Sequence, residues 1–394
     1  MEKKGLKCRL YPTDKQIQHF KQEVGNQRFL WNNFLERNID LYEKSKKFLF
    51  HFDMNYLLLD FKKEKDFLKI GYSQSLQTTL KYLSQAIVNC YKSGFGFPKF
   101  KRYNVGDSYT LLQHFRINGN KLHIPKLGKV RIKIHRAIKK NETIKNITII
   151  REGDLWYASL NIEFEPKKLP KTKKSIGLDA GSVRTITDSE GNFKKAIRNL
   201  PYVKEVFVKI SDLQRKLSSK FEAWKERTGR EKPNKGEIIS NSYVKLRNKI
   251  NKLHRKIRNQ RMHELHELSA QLVNEYDIIV VEDLKLKNMT KSSKGTEDNP
   301  GKNVKQKTGL NRNLLTNALG TLFRLIEYKS NWYGKTFIKV DPKYTSQTCS
   351  RCGKRHKDSR KTQSIFECIF CGFKINADTN AAINIENKGL EIAA

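Results

Sequence analysis

The sequence lacks long apolar runs and has few cysteines. No stretch of the 394 residues approaches the roughly eighteen consecutive apolar residues that a membrane-spanning helix needs. The N-terminal residues Met-Glu-Lys-Lys-Gly also lack the apolar segment of a secretory signal, so a cytoplasmic protein is expected. Four of the six cysteines cluster near the C-terminus. This clustering favours metal binding in a reducing compartment over a disulfide framework.

Acidic residues are also scarce relative to basic ones. Lysine and arginine number 79 against 40 aspartates and glutamates, which gives a formal net charge of +39. Solubility alone does not require this excess, and a protein this basic normally meets a polyanion. Nucleic acid and an anionic membrane surface are the two candidates, and nucleic acid inside a cell is favoured.

The length and the hydrophobic pattern predict a multidomain α+β protein. The alternation at residues 6–11 predicts a strand that Pro12 ends. Thr13 or Asp14 is then expected to cap the first of three helices. The three helices are predicted over residues 13–41, 54–61 and 73–91.

The middle of the chain changes from helical to strand periodicity. The block at residues 94–100, GFGFPKF, breaks the helical pattern. Short alternating segments between residues 109 and 164 predict a small antiparallel barrel, which the strand at residues 6–11 could complete.

The second half alternates between strands and helices. Strands are expected at residues 175–179, 183–187, 277–283 and 336–340. Residues 285–312 hold few apolar side chains and are expected to be mobile, with helix resuming at Leu314.

A long helix predicted over residues 242–275 carries charge of one sign. No acidic residue occurs between Ser242 and Met262. A solvated helix is the simpler reading of a charge run, but unbalanced positive charge favours a helix that faces phosphates. The residues expected to contact nucleic acid are Lys245, Lys249, Lys252, Arg255, Lys256 and Arg258.

The clustered cysteines form two CxxC pairs separated by fifteen residues. Two such pairs complete a closed tetrahedral zinc site, which is structural because no position stays open for substrate. Gly353 and Gly372 follow the second cysteine of each pair and suit a tight turn. The predicted zinc ligands are Cys349, Cys352, Cys368 and Cys371.

Three carboxylates lie where a metal-dependent nuclease would need them. Asp179 ends an apolar strand, Glu282 ends a run of β-branched residues, and Asp378 opens a C-terminal helix expected over residues 379–387. Any one of them could be a cap or a surface acid. Together they predict a ribonuclease-H-like site in which carboxylates hold two Mg²⁺ ions for phosphodiester hydrolysis.

At this point the chain resembles the transposon-encoded TnpB (OrfB) proteins, which are compact relatives of the type V CRISPR nucleases. The resemblance covers nearly the whole chain and is highly specific in its order. The matching segments are RLYPT at 9–13, GFPKFK at 96–101, GLDAG at 177–181, VVEDL at 280–284, EYK at 327–329, WYG at 332–334, VDP at 340–342, TSQTC at 345–349 and DTNAA at 378–382.

The resemblance implies an RNA-guided DNA endonuclease of a prokaryotic cell, associated with the nucleoid when bound to DNA. Such proteins bind a guide RNA made from the transposon end, recognise a short motif beside the target DNA, and cut both strands at one RuvC-like site. Asp179, Glu282 and Asp378 would be the magnesium ligands of that site.

The implied fold is α+β and multidomain. It combines a RuvC-like nuclease domain that carries a zinc-ribbon insert, a small wedge β-barrel and a helical recognition lobe. The implied limits are 1–12 for the first wedge strand, 13–93 for the recognition domain, 94–170 for the wedge barrel, 171–345 for the first part of the nuclease domain, 346–374 for the ribbon, and 375–394 for the last nuclease helix and tail.

Three alternatives stay open at this stage. They are a miniature type V CRISPR effector, a nuclease-inactive RNA-guided repressor, and an unguided junction-type nuclease. The presence of all three acids argues against the repressor, while the gene neighbourhood would separate the first alternative from a transposon protein.

Overall fold

The structure is a computed structural model of the chain, and it divides into two units, Met1–Pro166 and Lys167–Ala394. In the residues that it describes, no helix is long and apolar enough to span a bilayer. The described residues are 1–92, 95–103, 106–234, 237–296 and 299–394. Gly94 of the predicted helix break, and the predicted domain limit at 93 and 94, lie outside them.

The first unit combines four helices with an antiparallel sheet of seven strands in its described residues. The sheet has the order β2-β6-β7-β1-β5-β4-β3. In chain order the elements are β1 (Glu2–Tyr11), α1 (Asp14–Ser45), α2 (His51–Glu64), α3 (Asp66–Ile70), α4 (Ser73–Lys92), β2 (Ser108–Leu111), β3 (Arg116–Asn118), β4 (Lys121–Ile124), β5 (Gly128–Lys133), β6 (Thr143–Glu152) and β7 (Leu155–Phe164).

Strand β1 lies in the middle of this sheet although it precedes all the helices. It pairs antiparallel with β7 from Glu2 opposite Phe164 to Leu10 opposite Trp156, and with β5 at its other edge. The long pairing with β7 explains why the strand begins four residues before the predicted start at residue 6. Strands β2 and β3 are the edges of the described sheet, so closure into a barrel stays a prediction.

Helix α1 begins where the capping residues predict. The backbone N–H of Gln16 donates to Thr13 Oγ1 at 3.4 Å, and the N–H of Thr13 donates to Gln16 Oε1 at 3.0 Å, which is a reciprocal capping box. Phe20 near its start packs in the core of the sheet, whereas Phe34 further along packs in the core shared with α2 and α4. The helix therefore joins the two cores of the first unit.

The second unit contains a mixed five-stranded sheet with the order β10-β9-β8-β11-β12. In chain order its elements are β8 (Ser175–Asp179), β9 (Arg184–Asp188), β10 (Phe193–Lys195), a 3₁₀ helix (Ile197–Asn199), α5 (Pro201–Thr228), α6 (Asn241–Glu275), β11 (Ile278–Glu282), α7 (Leu286–Met289), α8 (Val304–Asn317), α9 (Leu319–Tyr333), β12 (Thr336–Val340), a second 3₁₀ helix (Lys357–Ser359), β13 (Ile365–Glu367), β14 (Lys374–Asn376) and α10 (Ala377–Ala393). Strands β8, β11 and β12 are parallel to one another, while β9 pairs antiparallel with both β8 and β10.

The helices of this unit differ from the sequence prediction in two places. Helix α5 was not predicted, and helix α8 begins earlier than expected, within residues 285–312, whose mobility stays a prediction. The predicted helix start at Leu314 is wrong, because α8 begins at Val304 and ends before Ala318, which takes a left-handed φ of 52°. The sequence pattern hides this break because Leu314, Ala318 and Leu322 keep helical spacing across it.

The break at Ala318 is stabilised by tertiary hydrogen bonds rather than by a local turn signal. The fully buried side chain of Asn317 donates to the carbonyl oxygens of Gly181 at 3.2 Å and Ser182 at 3.4 Å, and accepts from the N–H of Ile197 at 3.2 Å. The first two bonds satisfy backbone groups of the loop that follows β8, and the third satisfies the start of the first 3₁₀ helix. One side chain therefore anchors that loop.

Helix α10 packs unusually close to the sheet at two glycines. A Cβ atom added to Gly177 on β8 would lie 2.1 Å from the carbonyl oxygen of Ala382. A Cβ on Gly389 would lie 2.3 Å from the side chain of Val280 on β11. Neither contact is tolerable, so both positions require glycine.

Replacing either glycine with alanine should destabilise the protein. We expect Gly177→Ala and Gly389→Ala each to lower the free energy of unfolding by about 2 kcal/mol or more, because the helix must move away from the sheet. Gly309→Ala is a matched control, since a Cβ there meets nothing within 4 Å and the position lies inside α8. It should be neutral or stabilising by up to about 1 kcal/mol. Thermal melting of the three variants checks this, and equal melting temperatures would contradict the packing argument.

Candidate active site

Two of the predicted site acids end neighbouring parallel strands. Asp179 is the last residue of β8 and Glu282 the last of β11, and the two strands pair from Ser175 opposite Ile278 to Leu178 opposite Val281. Parallel strands present their carboxyl ends at one edge of the sheet. The register therefore brings the two carboxylates to the same edge.

The third acid reaches this edge from α10. Asp378 lies in the first turn of the helix, and the side chain of Asn376 caps that turn by accepting from the N–H groups of Asp378 at 3.0 Å and Thr379 at 3.3 Å. The cap determines where the helix begins, and the glycine contacts determine how closely it lies on the sheet. Together they determine the position of Asp378.

The electrostatics of Asp179 reflect the proximity of the other two acids. Burial raises the pKa of Asp179 to about 7, and the negative charges of Glu282 and Asp378 add to the rise, against the positive charge of Arg360. Burial likewise raises the pKa of Glu282, opposed by a hydrogen bond from Thr345 and by the charge of Lys388. Both other acids therefore lie close enough for their charges to act on Asp179.

Thr345 orients the carboxylate of Glu282. Its Oγ1 lies 2.7 Å from Oε1 of Glu282, and the residue is almost fully buried. The backbone carbonyl of Thr345 in turn accepts from the side chain of Asn384 on α10 at 2.8 Å. The threonine therefore links the end of β11 to the last helix.

Two arginines contribute positive charge at Asp378. Arg184 Nη1 lies 3.9 Å from Oδ2 of Asp378, and Arg360 Nη2 lies 3.4 Å from Oδ1. The guanidinium of Arg184 also lies over the ring of Phe193, with 4.1 Å from Cζ to the ring centroid. The partial exposure of Asp378 limits what these pairs contribute to stability.

Sequence reasoning missed Thr345, Arg184, Arg360 and Asn317. The threonine lies within the TSQTC segment that the family resemblance covers, so that motif was an available signal. The arginines are two among many basic residues, and no local pattern distinguishes them. Only the fold brings them to the carboxylates.

The carboxylates suit hard divalent cations. Oxygen ligands from acidic side chains are those that Mg²⁺ prefers. The carboxylate oxygens of Asp179, Glu282 and Asp378 do not all lie within 4.8 Å of one another. In the described part of the chain, only the four cysteines have ligand atoms that close together.

The four cysteines form a compact metal-ligating group. The sulfur atoms of Cys349 and Cys371 lie 3.7 Å apart, and those of Cys352 and Cys368 lie 3.6 Å apart. A zinc ion with four Zn–S bonds of about 2.3 Å places its sulfurs about 3.8 Å apart. These two separations match a tetrahedral zinc site, and all four sulfur atoms lie within 4.8 Å of one another.

Each cysteine pair is shaped by a glycine. Gly353 and Gly372 have φ angles of 71° and 67°, and their N–H groups donate to the carbonyl oxygens of Cys349 and Cys368 at 2.9 Å. Residues other than glycine rarely adopt such positive φ angles. The structure thus has the tight turns that the sequence predicts after both pairs.

The cysteine segment is attached directly to α10. Asn380 accepts from the N–H of Ser350 at 3.0 Å and donates to the carbonyl oxygen of Thr348 at 2.8 Å, and Asn384 donates to the same carbonyl at 2.7 Å. Both asparagines are buried on the helix that begins beside Asp378. The metal-ligating segment therefore supports the helix that carries the third acid.

The predicted nucleic-acid contacts of α6 line three cavities, and Lys249 borders two of them. Lys249, Lys252, Arg255 and Lys256 border a cavity of about 820 Å³ together with Lys209 of α5. Among the described residues that border this first cavity, Asp212 alone is acidic. Lys245 borders a second cavity with Lys216 and Lys220, and Arg258 borders a third with Arg261 and Arg312.

Comparison with known proteins matches three family models in succession. Residues 1–47 match a "Helix-turn-helix domain", residues 159–293 a "Probable transposase" and residues 320–385 a "Cas12f1-like, TNB domain". In this structure the first stretch contains strand β1 and the single long helix α1, rather than two helices.

Individual relatives match along the whole chain. "Putative RNA-guided DNA endonuclease InsQ" of Escherichia coli (strain K12) is 32% identical, over 99% of this chain and 93% of the relative. "Putative RNA-guided DNA endonuclease" of Streptomyces pristinaespiralis is 26% identical, over 100% and 90%. The solved structure "Cryo-EM structure of the Cas12f1-sgRNA-target DNA complex" covers 98% of this chain and 99% of its own at 18% identity, but its TM-score of 0.37 does not establish a shared fold.

These matches define a class of transposon-associated proteins that share a Cas12f1-like C-terminal domain. Within it, the chain belongs to the TnpB (OrfB) family, as the full-length similarity to the Escherichia coli relative shows.

Removing one thiol should abolish metal binding by the cysteine group. We expect Cys368→Ser to reduce bound zinc from about one ion per chain to a small fraction and to lower the melting temperature, because a tetrahedral site loses a ligand. Cys90→Ser is the matched control, since Cys90 is half-buried and lies outside the group. Measurement of the zinc content of the purified variants checks this prediction. Stoichiometric zinc in Cys368→Ser would contradict the assignment of the four cysteines as zinc ligands.

Proposed function

We propose that this chain is an RNA-guided DNA endonuclease that cuts double-stranded DNA beside a short recognition motif. The observation that carries the proposal is the meeting of Asp179, Glu282 and Asp378 at one sheet edge. Full-length relatives named RNA-guided DNA endonucleases support the guided activity. A guide RNA from the transposon end and a target DNA are the proposed partners.

In this proposal the three carboxylates hold two catalytic Mg²⁺ ions. When bound, the ions would activate a water and stabilise the leaving oxygen in phosphodiester hydrolysis. Asp179, on which the charges of both other acids act, would contribute to both parts of the site. Thr345 orients Glu282, and the Asn376 cap holds the turn that carries Asp378.

The structural zinc ion belongs to the same proposal. Held by Cys349, Cys352, Cys368 and Cys371, it would stabilise the segment that α10 anchors. A closed site with four thiolates leaves no position for substrate, so zinc takes no part in cleavage.

The basic residues of α6 are proposed to bind nucleic acid along its backbone. They are Lys245, Lys249, Lys252, Arg255, Lys256 and Arg258. The lysines of α5 that border the same cavities extend this surface. Contacts to phosphates are independent of base sequence and weaken with salt.

We also propose the finer fold assignment that the family implies. The sheet of the second unit would be a ribonuclease-H-like RuvC domain interrupted by the zinc ribbon. The seven-stranded sheet would be the wedge barrel, with α1 to α4 as the recognition lobe. The domain limits given above belong to this proposal.

A second candidate is a miniature type V CRISPR effector. The match of residues 320–385 to a Cas12f1-like domain supports it, as does 52% identity over 60 residues to "CRISPR-associated endodeoxyribonuclease Cas12f1" of Sulfoacidibacillus thermotolerans. Sequencing of the RNA that co-purifies with the protein, together with its flanking locus, separates the two candidates.

Loss of a site acid should abolish cutting without abolishing RNA binding. We expect Asp179→Ala and Glu282→Ala to lower the cleavage rate by about a thousandfold or more, because ligands to two catalytic ions are lost. Glu222→Ala removes an exposed glutamate paired with Lys225 on α5 and should cut like the unchanged protein. Cleavage of a guided plasmid and retention of RNA are measured in parallel. Unchanged cutting by Asp179→Ala would remove the proposed site, and cutting without RNA would remove guidance.

The hydroxyl of Thr345 should affect metal use. We expect Thr345→Val to raise the Mg²⁺ concentration for half-maximal cleavage by about tenfold, because loss of a partner that orients a metal ligand typically costs about 10–100-fold in affinity or activity. Thr345→Ser keeps the hydroxyl and should stay within about twofold of the unchanged protein. Equal Mg²⁺ dependence of the two variants would show that the hydrogen bond to Glu282 has no role.

A further inference from the structure

A second surface, in the first unit, exposes aromatic side chains that the proposed active site does not use. We call residues 95–103, FGFPKFKRY, the aromatic strap. Four of its nine residues are exposed aromatics, with 65% of Phe95, 38% of Phe97, 51% of Phe100 and 66% of Tyr103 accessible. Exposed apolar groups in such density mark interaction surfaces.

The aromatic strap is held in an irregular conformation by side chains of α1. The amide of Asn32 pairs with both backbone groups of Lys101, accepting from its N–H at 2.7 Å and donating to its carbonyl at 3.0 Å. Trp31 donates its indole N–H to the carbonyl of Lys99 at 3.0 Å. Polar side chains of a long helix thus hold the backbone of an exposed segment that has no strand partner of its own in the described structure.

Alternate residues of the aromatic strap contact rings and cations of its own unit. Phe97 lies 6.4 Å from Phe48 between ring centroids, and the ammonium of Lys101 lies 4.2 Å from the centroid of Trp31. Tyr103 lies under the guanidinium of Arg28 at 5.0 Å. The intervening residues Phe100 and Arg102 are exposed.

The charge of this surface points to a polyanion. The aromatic strap contains Lys99, Lys101 and Arg102 and no acidic residue. Asp107, the next acidic residue in the sequence, is already paired with Arg28 and Arg151, each at 3.6 Å. Aromatic faces interleaved with cations are the pattern that binds unpaired nucleobases and their phosphates.

We propose that the aromatic strap binds a single-stranded segment of nucleic acid, with Phe100 and Tyr103 stacking on bases and Lys99 and Arg102 contacting phosphates. This inference rests on the proposed function, which offers two single strands as ligands, the guide RNA and the displaced DNA strand. A bilayer would need a broad continuous apolar face. Here a cation lies between Phe97 and Phe100, and two lie between Phe100 and Tyr103.

The test compares aromatic with aliphatic side chains of similar exposure. The double variant Phe100→Leu, Tyr103→Leu keeps apolar area but removes the ring faces. The matched control is Phe52→Leu, Tyr56→Leu on α2, where the rings are 83% and 72% exposed. The double variant Phe100→Tyr, Tyr103→Phe keeps both rings. Exposed substitutions should leave the melting temperature unchanged, which is checked first.

The readout is affinity of the full chain for oligouridylate, oligothymidylate and a blunt DNA duplex, each about twelve nucleotides long. We expect the leucine variant to bind single strands at least about tenfold more weakly, because stacking contributes strongly for each base. The aromatic swap and the α2 control should bind like the unchanged protein. A loss confined to oligouridylate or to oligothymidylate identifies the strand.

Three results would overturn the proposal. They are single-strand affinity of the leucine variant within about twofold of the unchanged protein, an equal loss in the α2 control, and an equal loss of affinity for the blunt duplex. Guided cleavage by the unchanged protein is scored separately. If guided cleavage fails while the leucine variant loses strand binding, the endonuclease proposal is wrong and the proposal for the aromatic strap stands. If guided cleavage succeeds while the leucine variant keeps strand binding, the proposal for the aromatic strap is wrong and the endonuclease proposal stands.

Discussion

The close approach of α10 to strands β8 and β11 is the constraint on which the second unit depends. Gly177 and Gly389 allow backbone and side chains to meet where any Cβ would collide. A hydrogen bond from the hydroxyl of Ser175 to the carboxylate of Glu386 ties the same helix to the start of β8. Because packed interiors yield little to added volume, this contact places the first turn of α10 at the strand ends.

That placement gathers negative charge in a strongly basic protein. Three carboxylates meet at one sheet edge, and burial with mutual repulsion raises the pKa of Asp179 to about 7. Arg184 and Arg360 pair with Asp378, while Thr345 donates to Glu282. Divalent cations would relieve the remaining repulsion, so the cost of assembling the acids favours metal binding. The cysteine segment is bonded to the same helix through Asn380 and Asn384 and thereby supports the site without contributing to its chemistry.

Much of this arrangement could be predicted from local pattern. Thr13 marks the start of α1, β-branched runs mark β11, and the spacing of the cysteines defines their site. Helix α5 was missed although Val203, Val206 and Ile210 follow Pro201 at helical spacing. The break at Ala318 could not be predicted, because it depends on bonds from Asn317 to distant segments. The positions of Arg184 and Arg360 beside Asp378 could not be predicted either, since only tertiary structure distinguishes them among 79 basic residues.

The most direct test of the central claim is an anomalous difference map from crystals of the protein grown with Mn²⁺ as a stand-in for Mg²⁺. The proposed site predicts two peaks about 3.5–4 Å apart, with carboxylate oxygens of Asp179, Glu282 and Asp378 as ligands. Peaks elsewhere, or none at these three residues with Mn²⁺ in excess, would contradict the claim that the acids form one metal-dependent site.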